Sequence, residues 1–172
     1  MTPSIQIRPI EPSDERDLHR CAADPQVAAT SGIPHPYPDG AARAWISKAL
    51  KREADGTEHT YVILCESTVS GVVVLREINV ARGSATLEYF VASQLWNRGI
   101  ATAAATQALN RAFGNLTVVH ASTLTLNPAS ARVLEKLGFR KTGSHTQAED
   151  PTDKFSGQTW DDWELKKEDW DF

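Results

Sequence analysis

Apolar and polar residues alternate with a period of two along several short segments of the chain. Such alternation is typical of β-strands that bury one face. Alternation and runs of β-branched and apolar residues together predict seven strands, at residues 5–10, 60–65, 71–78, 85–92, 117–126, 140–146 and 159–165. Short polar links join the second, third and fourth strands, which favours an antiparallel meander for this part of the sheet.

Other segments show the helical period of 3.6 residues and predict helices at 12–21, 41–54 and 99–113. Asp39 is the predicted cap of the second, and Asp24-Pro25 is expected to end the first. The third lies between two predicted strands, so a parallel or near-parallel strand pair is required there. The segment 31–40 contains three prolines and two glycines, which predicts an irregular surface loop.

Composition and charge narrow the class of protein. A chain of 172 residues with 41% hydrophobic residues suits one domain, residues 1–172. The net charge of −4 argues against a nucleic-acid partner, because such binding rests on clustered Lys and Arg. Cys21 and Cys65 have neither disulfide-framework nor zinc-site spacing. Since no long apolar run or leader is present, we expect no membrane association and a cytoplasmic location.

The segment Trp96–Thr102 has the features of an anion-binding turn. Gly99 and Ala101 let a ligand approach the backbone closely, and the N-terminus of the following helix offers unpaired N–H groups. The positive end of the helix dipole favours negative charge there, and Arg98 adds a cation. The turn therefore predicts a site for a phosphorylated ligand.

A second strong signal is Asn127-Pro128, which places a capping residue before a proline at the first helical position. The predicted helix is short and ends near Gly138. Its apolar residues Val133, Leu134 and Leu137 are expected to point inward.

Taken in order, these features resemble the GCN5-related N-acetyltransferase (GNAT) family. The resemblance rests on the turn Trp96–Thr102, the segment Asn127-Pro128-Ala129-Ser130 and the ending Leu137-Gly138-Phe139. It is closest to the branch similar to the ribosomal-protein N-terminal acetyltransferases RimJ and RimL. The loop His35-Pro36-Tyr37-Pro38 and the segment 160–170 also resemble that branch, so the match spans nearly the whole chain.

The resemblance implies an α/β (α+β) fold. Its mixed, mostly antiparallel sheet of about seven strands is splayed between strands 4 and 5 and flanked by about four helices. It implies acetyl-CoA as co-substrate and no metal. The turn would bind the pyrophosphate, and strand 4 with Asn127 would bind the pantetheine arm. The implied cofactor-binding residues are Phe90, Val91, Ala92, Asn97, Arg98, Gly99, Ile100, Ala101, Thr102 and Asn127.

Acetyl transfer to an amine needs a proton acceptor for the amine and a proton donor for the leaving thiolate. Many relatives use a tyrosine as the donor, but the corresponding residue here is Leu134. The resemblance nominates Ser130 instead, with Asn127 beside it and Glu88 as a base acting through water. His35, Tyr37 and Glu88 are the implied acceptor-binding residues.

Each nominated residue also has a structural interpretation. On that interpretation Asn127 is only a helix cap, and Ser130 is only a residue that suits the start of a helix. Glu88 is then an ordinary carboxylate, and Arg98 is a solvated cation. The sequence therefore leaves two functions open, an N-acetyltransferase and a non-catalytic acyl-CoA-binding module. It also leaves open whether the acceptor is a protein N-terminus or a small amine, and whether the chain is a monomer or a homodimer.

Overall fold

The computed structural model describes residues 4–172, and seven strands in this range form a single sheet of order β1-β2-β3-β4-β5-β7-β6. The β4–β5 pair is parallel and every other neighbouring pair is antiparallel. The strands are β1 (Ile5–Pro9), β2 (His59–Cys65), β3 (Thr68–Asn79), β4 (Ser84–Val91), β5 (Val118–Leu124), β6 (Arg140–Thr146) and β7 (Thr159–Lys166). The predicted mixed, mostly antiparallel sheet is confirmed.

Five α-helices flank the sheet within residues 4–172, one more than the approximate number predicted. They are α1 (Glu15–Ala22), α2 (Pro25–Ala29), α3 (Ala41–Ala54), α4 (Ile100–Ala112) and α5 (Pro128–Lys136).

Asp24-Pro25 follows the end of α1 as predicted. The Asp24 side chain also accepts a hydrogen bond from Gln26 N and caps the short helix α2, which was not predicted. The prediction that Asp39 caps α3 is wrong. The N-cap is Gly40, whose left-handed backbone (φ 74°) turns the chain into the helix without a side-chain hydrogen bond.

The two faces of the sheet carry two different sets of helices. Helix α4 packs on one face through Ala104, Ala105 and Ala108, none of which has exposed surface. Because alanine side chains are small, α4 lies close to the sheet, and residues 92–99 connect the end of β4 to its N-terminus. Helices α1 and α3 cover the other face, where Leu18 and Ile46 belong to a second apolar cluster.

The sheet opens between its two central strands. Strands β4 and β5 pair through three residues of each strand, from Ser84↔Val118 to Thr86↔His120, and then separate. Beyond this point β4 stays paired with β3 as far as Val91, and β5 stays paired with β7 as far as Leu124. The opening is therefore held rigidly on both sides, and the predicted splay between strands 4 and 5 is confirmed.

Gly71 lets β3 approach β4 closely along the wall of this opening. A Cβ atom at this position would lie 2.1 Å from the carbonyl oxygen of Phe90. We expect Gly71→Ala to lower the free energy of unfolding by about 3 kcal/mol, because backbone must shift to relieve the contact. Urea denaturation measures this loss. Gly143→Ala is the matched control, since a Cβ there meets nothing within 4 Å; equal losses in the two variants would contradict the explanation.

Candidate active site

A cavity of about 960 Å³ lies at the opening between β4 and β5. Its walls come from β3, β4 and β5, from the start of α5, from the loop that follows α2 and from the loop between β6 and β7. Of the residues nominated from the sequence, the cavity is lined by His35, Glu88, Asn127 and Ser130. Residues from distant parts of the chain therefore meet at the place where the sheet is splayed.

Glu88 lies on β4 and points to the face covered by α1 and α3. It stands directly opposite Val74 of β3 and on the same face as Phe90. Arg76 pairs with it, with 3.1 Å between Arg76 Nη1 and Glu88 Oε1, and the Glu88 side chain remains 48% exposed. Burial raises the pKa of Glu88 because desolvation disfavours its charged form, while the Arg76 cation acts in the opposite direction.

Tyr89 points to the other face of β4, where it meets the start of α5. Its hydroxyl oxygen lies 2.9 Å from Ser130 Oγ, and the hydroxyl also donates a hydrogen bond to the Ser130 carbonyl. Burial raises the pKa of Tyr89 to about 12, because the phenolate would be poorly solvated there. The tyrosine therefore keeps its proton throughout the neutral pH range.

The sequence interpretation did not nominate Tyr89. The signal available was strand alternation, which places Tyr89 on the face of Leu87 and Val91, toward α4 and α5. The contact with Ser130 joins residues 41 positions apart, and local patterns carry no information on such a pair.

Asn127 caps α5 as predicted, since its side-chain oxygen accepts a hydrogen bond from Ser130 N at 3.2 Å. Its side chain also lines the cavity, and its NH₂ group donates to no other residue in the described range 4–172. The capping role and a role toward a ligand are thus compatible, because they use different atoms of the same amide.

The turn before α4 has the backbone conformation of an anion site. Asn97 (φ 60°) and Gly99 (φ 75°) are both left-handed. The N–H groups of residues 97–99 make no hydrogen bond within residues 4–172, and the first turn of α4 leaves further N–H groups unpaired. Trp96 anchors the turn, because its indole Nε1 donates to the carbonyl of Val91 at 2.7 Å.

Several backbone groups of the predicted cofactor contacts on β4 are already engaged. The N–H of Ala92 donates to Ser70 O at 2.8 Å and its carbonyl accepts from Leu95 N at 2.9 Å. The Val91 carbonyl accepts the Trp96 indole hydrogen bond, and the Phe90 carbonyl faces β3, since a Cβ on Gly71 would lie 2.1 Å from it. The N–H of Val91 remains as the candidate contact with a ligand.

The three residues predicted to bind the acceptor are divided between two cavities, and Glu88 lines both of them. His35 lines the large cavity, whereas Tyr37 lines a second cavity of about 290 Å³ on the α1 and α3 side. Tyr37 packs edge-on against His19, with 5.2 Å between the ring centres. The loop 31–40 thus contributes to both spaces.

The loop between β6 and β7 covers the outer side of the large cavity. Lys154 Nζ donates hydrogen bonds to the carbonyls of Ala28 at 2.6 Å and Ile33 at 2.5 Å. This bridge ties the loop to the chain around α2. Residues 148–157 carry no local signal for this arrangement, because the partners of Lys154 lie more than 120 positions away in the chain.

Other classes of site find no support in the described part of the chain. Residues 4–172 contain no cluster of three or more His, Cys, Asp or Glu side chains placed to hold a metal ion. Within the same range, none of the helices combines the length and the apolar character that a bilayer crossing requires. Cys21 and Cys65 are both buried and unbridged.

Comparison with known proteins gives a consistent result. A family profile described as acetyltransferase (GNAT) domain matches residues 4–140. The chain is 27% identical over 148 residues to the spermidine N(1)-acetyltransferase of Escherichia coli K12, covering 81% of this chain and 75% of the relative.

Solved structures of similar fold include two with bound coenzyme A. Spermidine N-acetyltransferase from Vibrio cholerae, in complex with CoA and spermine, has a TM-score of 0.80 at 21% identity and covers 96% of both chains. RimL, a ribosomal L7/L12 alpha-N-protein acetyltransferase in complex with CoA, has a TM-score of 0.86 at 16% identity, covering 95% of this chain and 94% of RimL.

Proposed function

The chain belongs to the GNAT acetyltransferase family and is an acetyl-CoA-dependent N-acetyltransferase, and we propose that it acetylates a primary amine by direct attack in a ternary complex. The observation that carries the proposal is the placement of Glu88 and Tyr89. They are consecutive residues of β4, so they project to opposite faces of the sheet at the splay. The proposed base and the hydroxyl that contacts the proposed proton donor, Ser130, are thus held on the two faces of the sheet at one opening.

The residues present fit acetyl-CoA. The unpaired N–H groups at the N-terminus of α4 and Arg98 suit its pyrophosphate, and the gap beside Phe90 and Val91 suits an extended arm. Trp96 occupies the place where many relatives have a further basic or amide side chain, so phosphate binding rests on backbone donors and Arg98. When bound, acetyl-CoA supplies the thioester that the amine attacks.

The protein's own groups then handle the protons. Glu88 accepts a proton from the incoming amine, directly or through water, and its raised pKa makes it a better base than an exposed carboxylate. Ser130 Oγ, at the cavity wall, delivers a proton to the departing sulfur. The Tyr89 hydroxyl lies 2.9 Å from Ser130 Oγ, and this contact between the two hydroxyls supports that delivery. Asn127 orients the start of α5.

The acceptor belongs to one of two classes suggested by the relatives, a small-molecule amine or a protein N-terminus. The branch that we propose within the family is that of RimJ and RimL, whose structures share this fold, as does that of a spermidine N-acetyltransferase. The bridge from Lys154 to Ala28 and Ile33 narrows the outer side of the cavity, which favours a small amine or a flexible N-terminus over a folded protein surface.

Thiol release from acetyl-CoA in the presence of a panel of amines tests the proposal. The panel contains N-terminal peptides, polyamines and simple alkyl and arylalkyl amines, and mass spectrometry identifies the acetylated nitrogen. We expect turnover with at least one amine and no stable acetylated protein without amine. Tight CoA binding with no turnover on any amine would overturn the proposal.

Arg98 is expected to contribute to CoA affinity through phosphate contact. We expect Arg98→Glu to weaken CoA binding by roughly tenfold, because reversal of an exposed charge beside the phosphates costs about 1.4 kcal/mol. Isothermal titration measures the dissociation constant. Arg82→Glu is the matched control, since Arg82 lies in the turn at the opposite end of β4. Equal weakening in both variants would mean that only net charge matters.

The pH dependence of kcat should report the Arg76–Glu88 pair. Arg76 lowers the pKa of Glu88, so its removal in Arg76→Met should move the acidic limb of the profile to higher pH. Activity at pH 6 then falls more than activity at pH 8. Arg76→Lys keeps the positive charge and should leave the limb near its original position. A limb that stays fixed in Arg76→Met would contradict this account of Glu88.

A further inference from the structure

The second cavity, of about 290 Å³, has mostly apolar walls on the α1 and α3 side of the sheet. These walls include Leu18, Tyr37, Trp45, Val72, Val74 and Phe90. Concave sites for small molecules are typically lined by apolar and aromatic side chains with a few polar groups, and this cavity has that character. It is therefore a candidate for the binding of an apolar group.

The two cavities meet at the catalytic carboxylate. Arg76, Glu88, Tyr89 and the loop residues Ser31, Gly32 and Pro34 line both of them. An amine bound at Glu88 would therefore lie between the two cavities. The thioester would lie in the large cavity, and the substituent of the amine would extend into the second cavity.

The chemistry of the second cavity selects the kind of substituent. Among the described residues that line it, Glu88 is the one carboxylate, and it is already paired with Arg76. A second ammonium group placed there would lose its hydration without gaining a free counter-ion, which is unfavourable. An alkyl or aryl group would instead bury apolar surface, which is favourable.

We propose that the acceptor is a primary amine attached to an apolar group no larger than a phenylalanine side chain, and that this group occupies the second cavity. The inference rests on the proposed function, because it places the amine at Glu88. It deepens that function by distinguishing such acceptors from polyamines, which carry a second charge. The same chemistry is presented by a free arylalkyl amine and by a peptide whose first residue is apolar.

The first test compares kcat/KM across amines with saturating acetyl-CoA. In the series from ethylamine to hexylamine we expect an increase of about fourfold per methylene until the cavity is filled. Phenethylamine should exceed putrescine and spermidine. Comparison of a peptide that begins with Phe, a peptide that begins with Ser and phenethylamine shows whether the apolar group comes from a peptide N-terminus or from a free amine. A flat series, or a preference for polyamines, would overturn the inference while leaving the proposed function intact; no turnover with any amine would instead defeat the proposed function.

The second test fills the cavity. Ala22 is 3% exposed and lines the second cavity but not the large one, so Ala22→Leu should lower kcat/KM for phenethylamine at least tenfold. Activity with ethylamine and the CoA dissociation constant should not change. Ala44→Leu, on the exposed face of α3, makes the same chemical change elsewhere. Ile33→Trp, in the half-buried loop, repeats the test if Ala22→Leu does not fold. Equal losses for both amines would contradict the assignment.

Discussion

Glu88→Gln should lower kcat by roughly 10²- to 10⁴-fold, the range expected when a general base is removed. The amide keeps the size and the half-exposed position of the side chain beside Arg76, but it accepts no proton from the amine. Steady-state kinetics at saturating acetyl-CoA and acceptor measure the loss. The CoA dissociation constant should be unchanged, because the nominated phosphate-binding residues 97–102 do not include Glu88.

Although Glu88→Gln should lower kcat, it should not lower the stability of the fold. Because burial raises the pKa of Glu88 above its value in the unfolded chain, stability falls as pH rises through the interval between the two values. The ionised carboxylate is thus a cost to folding at neutral pH, and Glu88→Gln should not lower Tm. Glu135→Gln, on an exposed face of α5, is the control. A variant that loses activity only because it loses Tm would contradict the assignment of Glu88 as base.

Removal of either hydroxyl of the Tyr89–Ser130 pair should also lower kcat. We expect a loss of roughly 10²-fold for Ser130→Ala and roughly tenfold for Tyr89→Phe, since Ser130 is the proposed proton donor and Tyr89 supports it through the contact between their hydroxyls. The double variant should lose little more than Ser130→Ala alone, because the two groups act as one unit. A double-mutant cycle on kcat measures this coupling.

Two controls separate proton delivery from packing. Tyr61→Phe removes a phenol hydroxyl that makes no hydrogen bond within residues 4–172, and Ser47→Ala changes an exposed serine of α3. Both should leave kcat unchanged. A thioester donor with a more acidic thiol needs less proton delivery, so the loss in Ser130→Ala should shrink with such a donor. A loss that is independent of the leaving thiol would show that Ser130 acts only structurally.

The parts of the site that depend on local conformation could be predicted from the sequence. Gly99 was predicted before α4 because the turn there needs a left-handed backbone. The Asn127 cap was predicted because its hydrogen bond joins residues only three positions apart. The splay between β4 and β5 came from the family resemblance rather than from periodicity. One local prediction, the Asp39 cap of α3, was wrong. The N-cap is Gly40, where a left-handed backbone starts the helix without a side-chain hydrogen bond.

The parts that depend on distant contacts could not be predicted. The proposed role of Tyr89 depends on its contact with Ser130. The role of Lys154 depends on hydrogen bonds to two carbonyls far away in the sequence. The N–H of Ala92 donates to Ser70 O on the neighbouring strand, and this hydrogen bond depends on the pairing of β3 with β4. The environment of Glu88 likewise depends on Arg76, since a charge at an inward strand position is tolerated when a partner lies opposite or beside it.

The proposed role of Glu88 is to remove the proton from the acceptor amine. The pH dependence of kcat for the native protein and for Glu88→Gln, at saturating acetyl-CoA and amine, tests this role. We expect an acidic limb in the native profile, at a pH above the ordinary pKa of a glutamate, and no such limb in Glu88→Gln. The same limb at the same pH in both proteins would show that Glu88 is not the base.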